Sequence, residues 1–181
     1  SCDTHAHVFG PAARYPFAEG RGYTPPDCPV ETYARMLDTL GIERAVIVQG
    51  GAHGTDNRVT LDAIASMGER CRGVAVLEPT VIERELETLA AGGFRGLRLS
   101  TVLKGGVGTE HLDTMAARAR DLGWHVQLHL EAADELVDLA PRLRRLAVPF
   151  VIDHLGRARG GGGTGQPGFQ ALLGLLKETD G

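Results

Sequence analysis

Six short β-branched or apolar runs, each followed by a longer amphipathic one, organise this chain. The apolar runs cover residues 2–8, 44–49, 73–79, 95–100, 124–130 and 149–156. Between them lie patterns of helical period. One runs to Gly41 and another starts at an Asp56-Asn57 cap signal and ends at Gly68; both glycines suit a helix stop. Strand and helix alternating at this spacing predict βα units and a parallel sheet. An open doubly wound sheet normally carries GxGxxG in its first βα turn, and none is present. The alternative is a (β/α)8 barrel, which typically needs about 250 residues. With 181 residues and six units, the expectation is one α/β domain over 1–181: a (β/α) barrel without its last two strands.

Composition narrows the function classes. A 43% hydrophobic content suits one sizeable core. Net charge is −4, the signs are interspersed and aromatics are 5%, which argues against a nucleic-acid partner. No apolar run approaches the roughly 20 residues of a membrane span, and no leader pattern opens the chain. Cys2, Cys28 and Cys71 are widely spaced and odd in number, which fits reduced thiols and a cytoplasmic protein. Two segments break the βα rhythm. Residues 11–29 form a long Pro- and Gly-rich loop, and residues 157–168, with four consecutive glycines, read as a mobile one.

The chemistry starts at His5-Ala6-His7. In a strand, side chains at i and i+2 share a face, with Cα atoms about 6.6 Å apart. Two imidazoles there can close on one metal ion or one polar ligand. His129 lies near the end of the fifth apolar run and His154 near the end of the sixth. A parallel barrel gathers all strand C-termini on one face, so four imidazoles from three strands should meet there. Such a set is a metal or catalytic constellation by default. His125 shares parity with His129 but sits at the opposite end, a structural position; His111 falls on a helix. His53, in the loop after the second strand, is placed to touch substrate. Arg98, Lys104 and Arg157 fall near the same face and suit an anionic ligand. Tyr23 could add a hydroxyl from the long loop. Asp153, of opposite strand parity to His154, reads as a packing residue or a support for it.

The stretches "DTHAHVFGP", "YPF", "YTPPD", "HGTDN", "GGFRGLRLS" and "VIDHLGR", kept in this order up to about Arg157, resemble the amidohydrolase superfamily. Within it they resemble the amidohydrolase 2 type, in the lactonase branch that includes 2-pyrone-4,6-dicarboxylate lactonase. The resemblance implies a distorted TIM (β/α)8 barrel. It implies catalytic roles for His5, His7 and His154, carboxylate contacts for Arg98 and Arg157, and a substrate contact for Tyr23. His129 stands where the pyrone lactonase has tyrosine, and Lys104 where it has arginine. That lactonase needs no metal, whereas relatives with a fifth-strand histidine bind one divalent ion. The expected ligands are therefore His5, His7 and His129 around zinc or manganese, with a metal-free mechanism as the alternative. The resemblance also implies a general-base aspartate at the end of an eighth strand. Nothing in these 181 residues matches it, and Asp180 sits at a frayed helix end.

The function expected is a hydrolase that opens a carboxylate-bearing lactone or related cyclic ester. A His cluster (His5, His7, His129 and His154) polarises the carbonyl, and a general base activates water. Arg98, Arg157, Lys104, Tyr23 and His53 bind the substrate, a small anion. The alternatives are a metal-dependent non-oxidative decarboxylase of the same superfamily and an inactive truncated barrel. In the last case exposed sheet edges would favour self-association into a homo-oligomer.

Overall fold

The computed structural model describes residues 1–102 and 107–178. Six strands, β1 (Cys2–Ala6), β2 (Arg44–Val48), β3 (Cys71–Ala75), β4 (Phe94–Ser100), β5 (His125–His129) and β6 (Phe150–Ile152), alternate with six helices. These are α1 (Val30–Leu40), α2 (Arg58–Met67), α3 (Glu83–Ala91), α4 (Leu112–Asp121), α5 (Glu135–Leu143) and α6 (Pro167–Glu178). Every strand pairing is parallel and the spatial order is β1 to β6 in sequence. That order separates a barrel from a doubly wound sheet, whose strand order reverses part-way.

The curl of the sheet is visible in side-chain contacts. Strands β1 and β6 are at opposite edges, which in a flat sheet would stand about 24 Å apart. Yet the rings of His5 and His154 are 5.3 Å apart, and Gln127 of β5 reaches His5 at 3.2 Å. The six strands therefore wrap around a common interior as part of a barrel.

The two faces of the sheet carry different chemistry. Ile47, Ala75, Leu97, Leu99, Val126 and Leu128 are buried in the apolar core, which also includes Leu86, Leu112, Met115 and Leu136 from the helices. Register puts Arg98 beside Gln127, Ser100 beside His129 and Gln127 beside Val151, so these side chains share the interior face. At the lower end of that face His125 fills the space opposite Gly96, where a Cβ would come within 2.4 Å of the ring. Burial lowers the pKa of this imidazole, in keeping with a structural position.

Two boundaries differ from the sequence reading. β3 begins at Cys71 rather than at residue 73, directly after a short turn over Gly68–Arg70. The sixth apolar run is extended only over Phe150–Ile152, because the backbone after Asp153 leaves the β region. His154, Leu155, Gly156 and Arg157 have φ of 53°, 53°, 63° and 58°, a turn of left-handed helix. Left-handed backbone costs roughly 1–2 kcal/mol for each non-glycine residue, so this turn is held by its surroundings.

The long segment after β1 is pinned rather than loose. Phe9 and Cys28 form an isolated antiparallel bridge, and the Ala18 N–H donates to the Ala52 carbonyl at 2.8 Å. Arg14 and Tyr15 both donate to Asp62 Oδ2 at 2.6 Å. The glycine-rich segment is likewise tied: the Gln166 amide donates to the carbonyls of Arg159 and Gly163, both at 2.8 Å.

Candidate active site

The predicted imidazoles converge at the C-terminal ends of the strands. Ring centroids run from His7 to His5 at 5.1 Å, from His5 to His154 at 5.3 Å, and from His154 to His129 at 5.5 Å. His5 and His7 arrive by strand parity. A register irregularity between Asp3 and Ala6 in the β1–β2 pairing accompanies them. His154 arrives by a different route: its left-handed conformation brings its ring between those of His5 and His129.

Asp153 is the hub that sequence reasoning placed in a supporting role. Gln127 pairs with Val151, so Asp153, two residues further on, faces the interior with Arg98, Gln127 and His129. Its side chain is 2% exposed. Oδ2 accepts from Arg98 Nε at 3.1 Å and from Nη2 at 2.7 Å; Oδ1 accepts from Gln127 Nε2 at 2.5 Å. His5 Nδ1 lies 3.5 Å from the same Oδ1. Burial alone would raise the carboxyl pKa. The contact with His5, the Arg98 charge and the Gln127 bond outweigh it and hold the group at about 2.

The imidazoles have distinct environments. His7 Nδ1 is 2.8 Å from the Val48 carbonyl. A carbonyl only accepts, so Nδ1 carries the proton and Nε2 of the neutral ring is a lone pair. Burial chiefly lowers the pKa of His7, as do the charges of Arg98 and His5 against the pull of the Val48 bond. His129, with Nδ1 at 3.3 Å from Ser100 Oγ, is pushed down to about 4 by burial and then by the Arg98 charge. His5 Nδ1 faces two partners, Asp153 Oδ1 and the Gln127 amide nitrogen. The amide N–H can only donate and the carboxylate can only accept. Nδ1 accepts from Gln127 when the ring proton is on Nε2, and donates to Asp153 when the proton is on Nδ1 and Nε2 is the lone pair. That Nε2 is buried and has no hydrogen-bond partner among the described residues.

Among the described residues, His5, Asp153 and His154 present ligand atoms that all lie within 4.8 Å of one another. The sequence reading grouped His5, His7 and His129; the structure gathers His5 with Asp153 and His154, and His7 and His129 flank them. The interior register of Asp153 and the left-handed turn at His154 account for the difference. Two imidazoles and a carboxylate suit zinc or manganese, and the orphaned His5 Nε2 leaves a polar valence unfilled. The residues fit such an ion.

The predicted substrate contacts divide into three groups. Arg98 is 3% exposed and spends two of its donors on Asp153, so its charge is largely neutralised in place. Arg157 is exposed at the end of the left-handed turn, and its side chain has no bonded partner among the described residues. Lys104 lies outside the described residues. Tyr23 is 41% exposed, with its ring 6.2 Å from Phe9. Burial raises its pKa, against the Ala52 backbone and the Arg98 charge. His53 is 2% exposed, its ring 5.9 Å from Phe9 and 4.8 Å from Phe17, with Nδ1 at 3.2 Å from the Pro16 carbonyl. It ties the long loop down, and its Nε2 is also buried without a partner among the described residues.

Comparison with known proteins agrees with this architecture. The chain is 39% identical over 180 residues to a 4-sulfomuconolactone hydrolase of Hydrogenophaga intermedia, covering 98% of this chain and 59% of that protein. It is 35% identical over 176 residues to a D-galactarolactone isomerase of Agrobacterium fabrum, covering 96% of this chain and 59% of that protein. A structure solved under the name "probable 2-pyrone-4,6-dicarboxylic acid hydrolase", from Acinetobacter baumannii with citric acid bound, superposes with a TM-score of 0.84 at 33% identity. It covers 97% of this chain and 66% of that one. The chain thus spans about three fifths of the length of the curated relatives it matches. Residues 2–181 match the amidohydrolase 2 family, and the chain belongs to that family.

Proposed function

We propose that this protein hydrolyses a lactone bearing an anionic substituent, at the cluster of His5, His7, His129, His154 and Asp153. The observation that carries the reading is the convergence of four imidazoles around a buried carboxylate, with the buried His5 Nε2 left without a partner among the described residues. Relatives that act on lactones support the ester chemistry.

The residues divide the work. Asp153 and Gln127 hold the Nδ1 side of His5, which leaves Nε2 for an incoming group. His7, whose proton is committed to Val48, presents an acceptor. His5, His154 and Asp153 would hold a divalent ion, zinc or manganese. When bound, the ion supplies Lewis-acid polarisation of the ring carbonyl. Without it, the same imidazoles act on the substrate directly. His129 is neutral at ordinary pH and leaves the site free of one further positive charge. Arg157 and Lys104 attract the anionic substituent, while Arg98, balanced by Asp153, adds orientation more than charge. Tyr23 closes the substrate from the loop side. Proton acceptance from the attacking water falls to the eighth-strand aspartate that the family resemblance implies, which has no match in residues 1–181.

The test is ring opening of 4-sulfomuconolactone and 2-pyrone-4,6-dicarboxylate, with product identified by mass. The expected product is the lactone plus one water. Loss of carbon dioxide would replace this reading with the decarboxylase alternative. A product of unchanged mass would replace it with isomerisation, the activity named for the Agrobacterium relative.

A further inference from the structure

Asp3 and Tyr33 take no part in the reaction described above, yet they meet on the strand that carries His5 and His7. The Tyr33 hydroxyl, from α1, donates to Asp3 Oδ2 at 2.9 Å, and the His5 backbone N–H donates to Asp3 Oδ1 at 3.2 Å. Burial, and then the bond to Asp3, raises the pKa of Tyr33, so the phenol keeps the proton it donates.

The register of β1 on β2 shows what these bonds hold. Asp3 pairs with Ala45 and Ala6 with Ile47, so three steps on β1 match two on β2. One extra residue in one strand is a bulge. Registered neighbours share a face of the sheet. Ile47 lies in the apolar core under the helices, and Ala45, two residues earlier, shares its face. Asp3 therefore faces the helices, as its bond to Tyr33 requires, and so does Ala6. His5 and His7, on either side of Ala6, face the interior. There their rings are 5.1 Å apart, and His5 meets His154 and Gln127. In an unbroken strand Asp3, His5 and His7 would all share one face. With Asp3 turned to α1, both imidazoles would then point among the helices. The extra residue is what separates them. A bulge disrupts the ladder locally, and a backbone N–H left without a partner is costly. Asp3 Oδ1 answers that of His5.

We infer that Asp3, braced by Tyr33, is a positioning residue: it holds the bulge in β1 that turns His5 and His7 from the helix side of the sheet to the interior. Both residues act from outside the barrel, through the backbone of β1. Only the effect on rate rests on the proposed lactone reading; the effect on the rings does not.

The test is heteronuclear NMR of the imidazole nitrogens, which reads tautomer and environment in the folded molecule whatever its stability. The wild type is compared with Asp3→Asn, Asp3→Ala, Tyr33→Phe and Leu139→Ala. His7 of the wild type should show the Nδ1–H tautomer that the Val48 carbonyl requires. Asparagine keeps an oxygen for the His5 N–H and an amide N–H for the Tyr33 oxygen, so Asp3→Asn should keep that pattern. Asp3→Ala should lose the Nδ1–H signature of His7 and shift the His5 signals. Tyr33→Phe removes the brace alone and should shift both rings the same way by less. Leu139→Ala, a buried position on α5, should lose stability and keep the pattern. In parallel, kcat for lactone opening should fall about tenfold in Asp3→Ala, with KM within about twofold, and recover in Asp3→Asn. Wild-type ring signals in Asp3→Ala would overturn the inference, as would equal loss in Asp3→Asn. Should Asp3→Ala fail to fold, wild-type His5 and His7 signals in Tyr33→Phe would overturn it. The two readings fail separately. If the wild type opens no lactone but the ring signals still depend on Asp3, the reaction is wrong and the positioning stands. If lactones are opened and Asp3→Ala keeps both rate and ring signals, the reverse holds.

Discussion

At the scale of the residue, the account turns on Asp153 and Arg98. They form an ion pair, 2% and 3% exposed, that links β4 to the end of β6 and touches Gln127 and His5. Removing one partner of a buried pair strands the other charge, at a cost of about 3–5 kcal/mol. We expect Asp153→Ala to lose stability on that order in urea unfolding. The double variant Arg98→Leu/Asp153→Leu should lose less than the sum of the two single changes. Single variants within about 1 kcal/mol of wild type would show that the pair is not structural. His129 gives a pH prediction. Its folded pKa, about 4, lies below the ordinary 6.5. Between those values the unfolded chain binds the proton more tightly, so its contribution to stability is complete above about pH 6.5 and is lost as pH falls towards 4. NMR titration of the imidazole should give a midpoint near 4, and His129→Gln should flatten the acid slope of stability. A midpoint near 6.5 would contradict the burial argument. The HxH pair was legible because strand parity alone puts two imidazoles on one face. Asp153 was not. Its partner Arg98 is 55 residues away, and its facing depends on the β5–β6 register, which no local pattern encodes.

At the scale of the element, the segment after β6 distinguishes this chain from six plain βα repeats. The alternation of apolar and amphipathic runs is a local signal, and strands and helices emerged where their periods change. The left-handed turn over His154–Arg157 gave no such signal, since three of its four residues are not glycine. Gly156 was the available hint. It has φ +63°, and a Cβ there would lie 2.9 Å from Leu136 Cδ1. Gly156→Ala should therefore cost about 1–2 kcal/mol and lower activity by moving His154. Gly160→Ala, where a Cβ meets nothing within 4 Å, should stay within about 0.5 kcal/mol of wild type. Thermal unfolding of the two variants side by side makes the comparison, and equal losses would contradict the turn's role. The glycine-rich segment that composition marked as mobile is instead stitched by Gln166, a single side chain whose reach composition does not reveal.

At the scale of the whole molecule, sequential strand order and curl concentrate polar groups on the interior face and apolar ones outside. Arg98, Gln127 and Asp153 are buried there, and His5, His7 and His129 partly so. Buried polar groups are costly unless paired, and most of these are paired with one another. The exceptions are informative: His5 Nε2 has no partner, and Arg157 at the mouth is unpaired among the described residues. These two groups thus stand open where a substrate would bind, on a protein whose net charge is −4. The most direct measurement is kcat/KM for lactone ring opening by the wild type, by His5→Ala and by His111→Ala, a helix-borne histidine outside the cluster. The account predicts that His5→Ala loses at least about a hundredfold while His111→Ala matches the wild type. Ring opening that survives in His5→Ala within about twofold would contradict it.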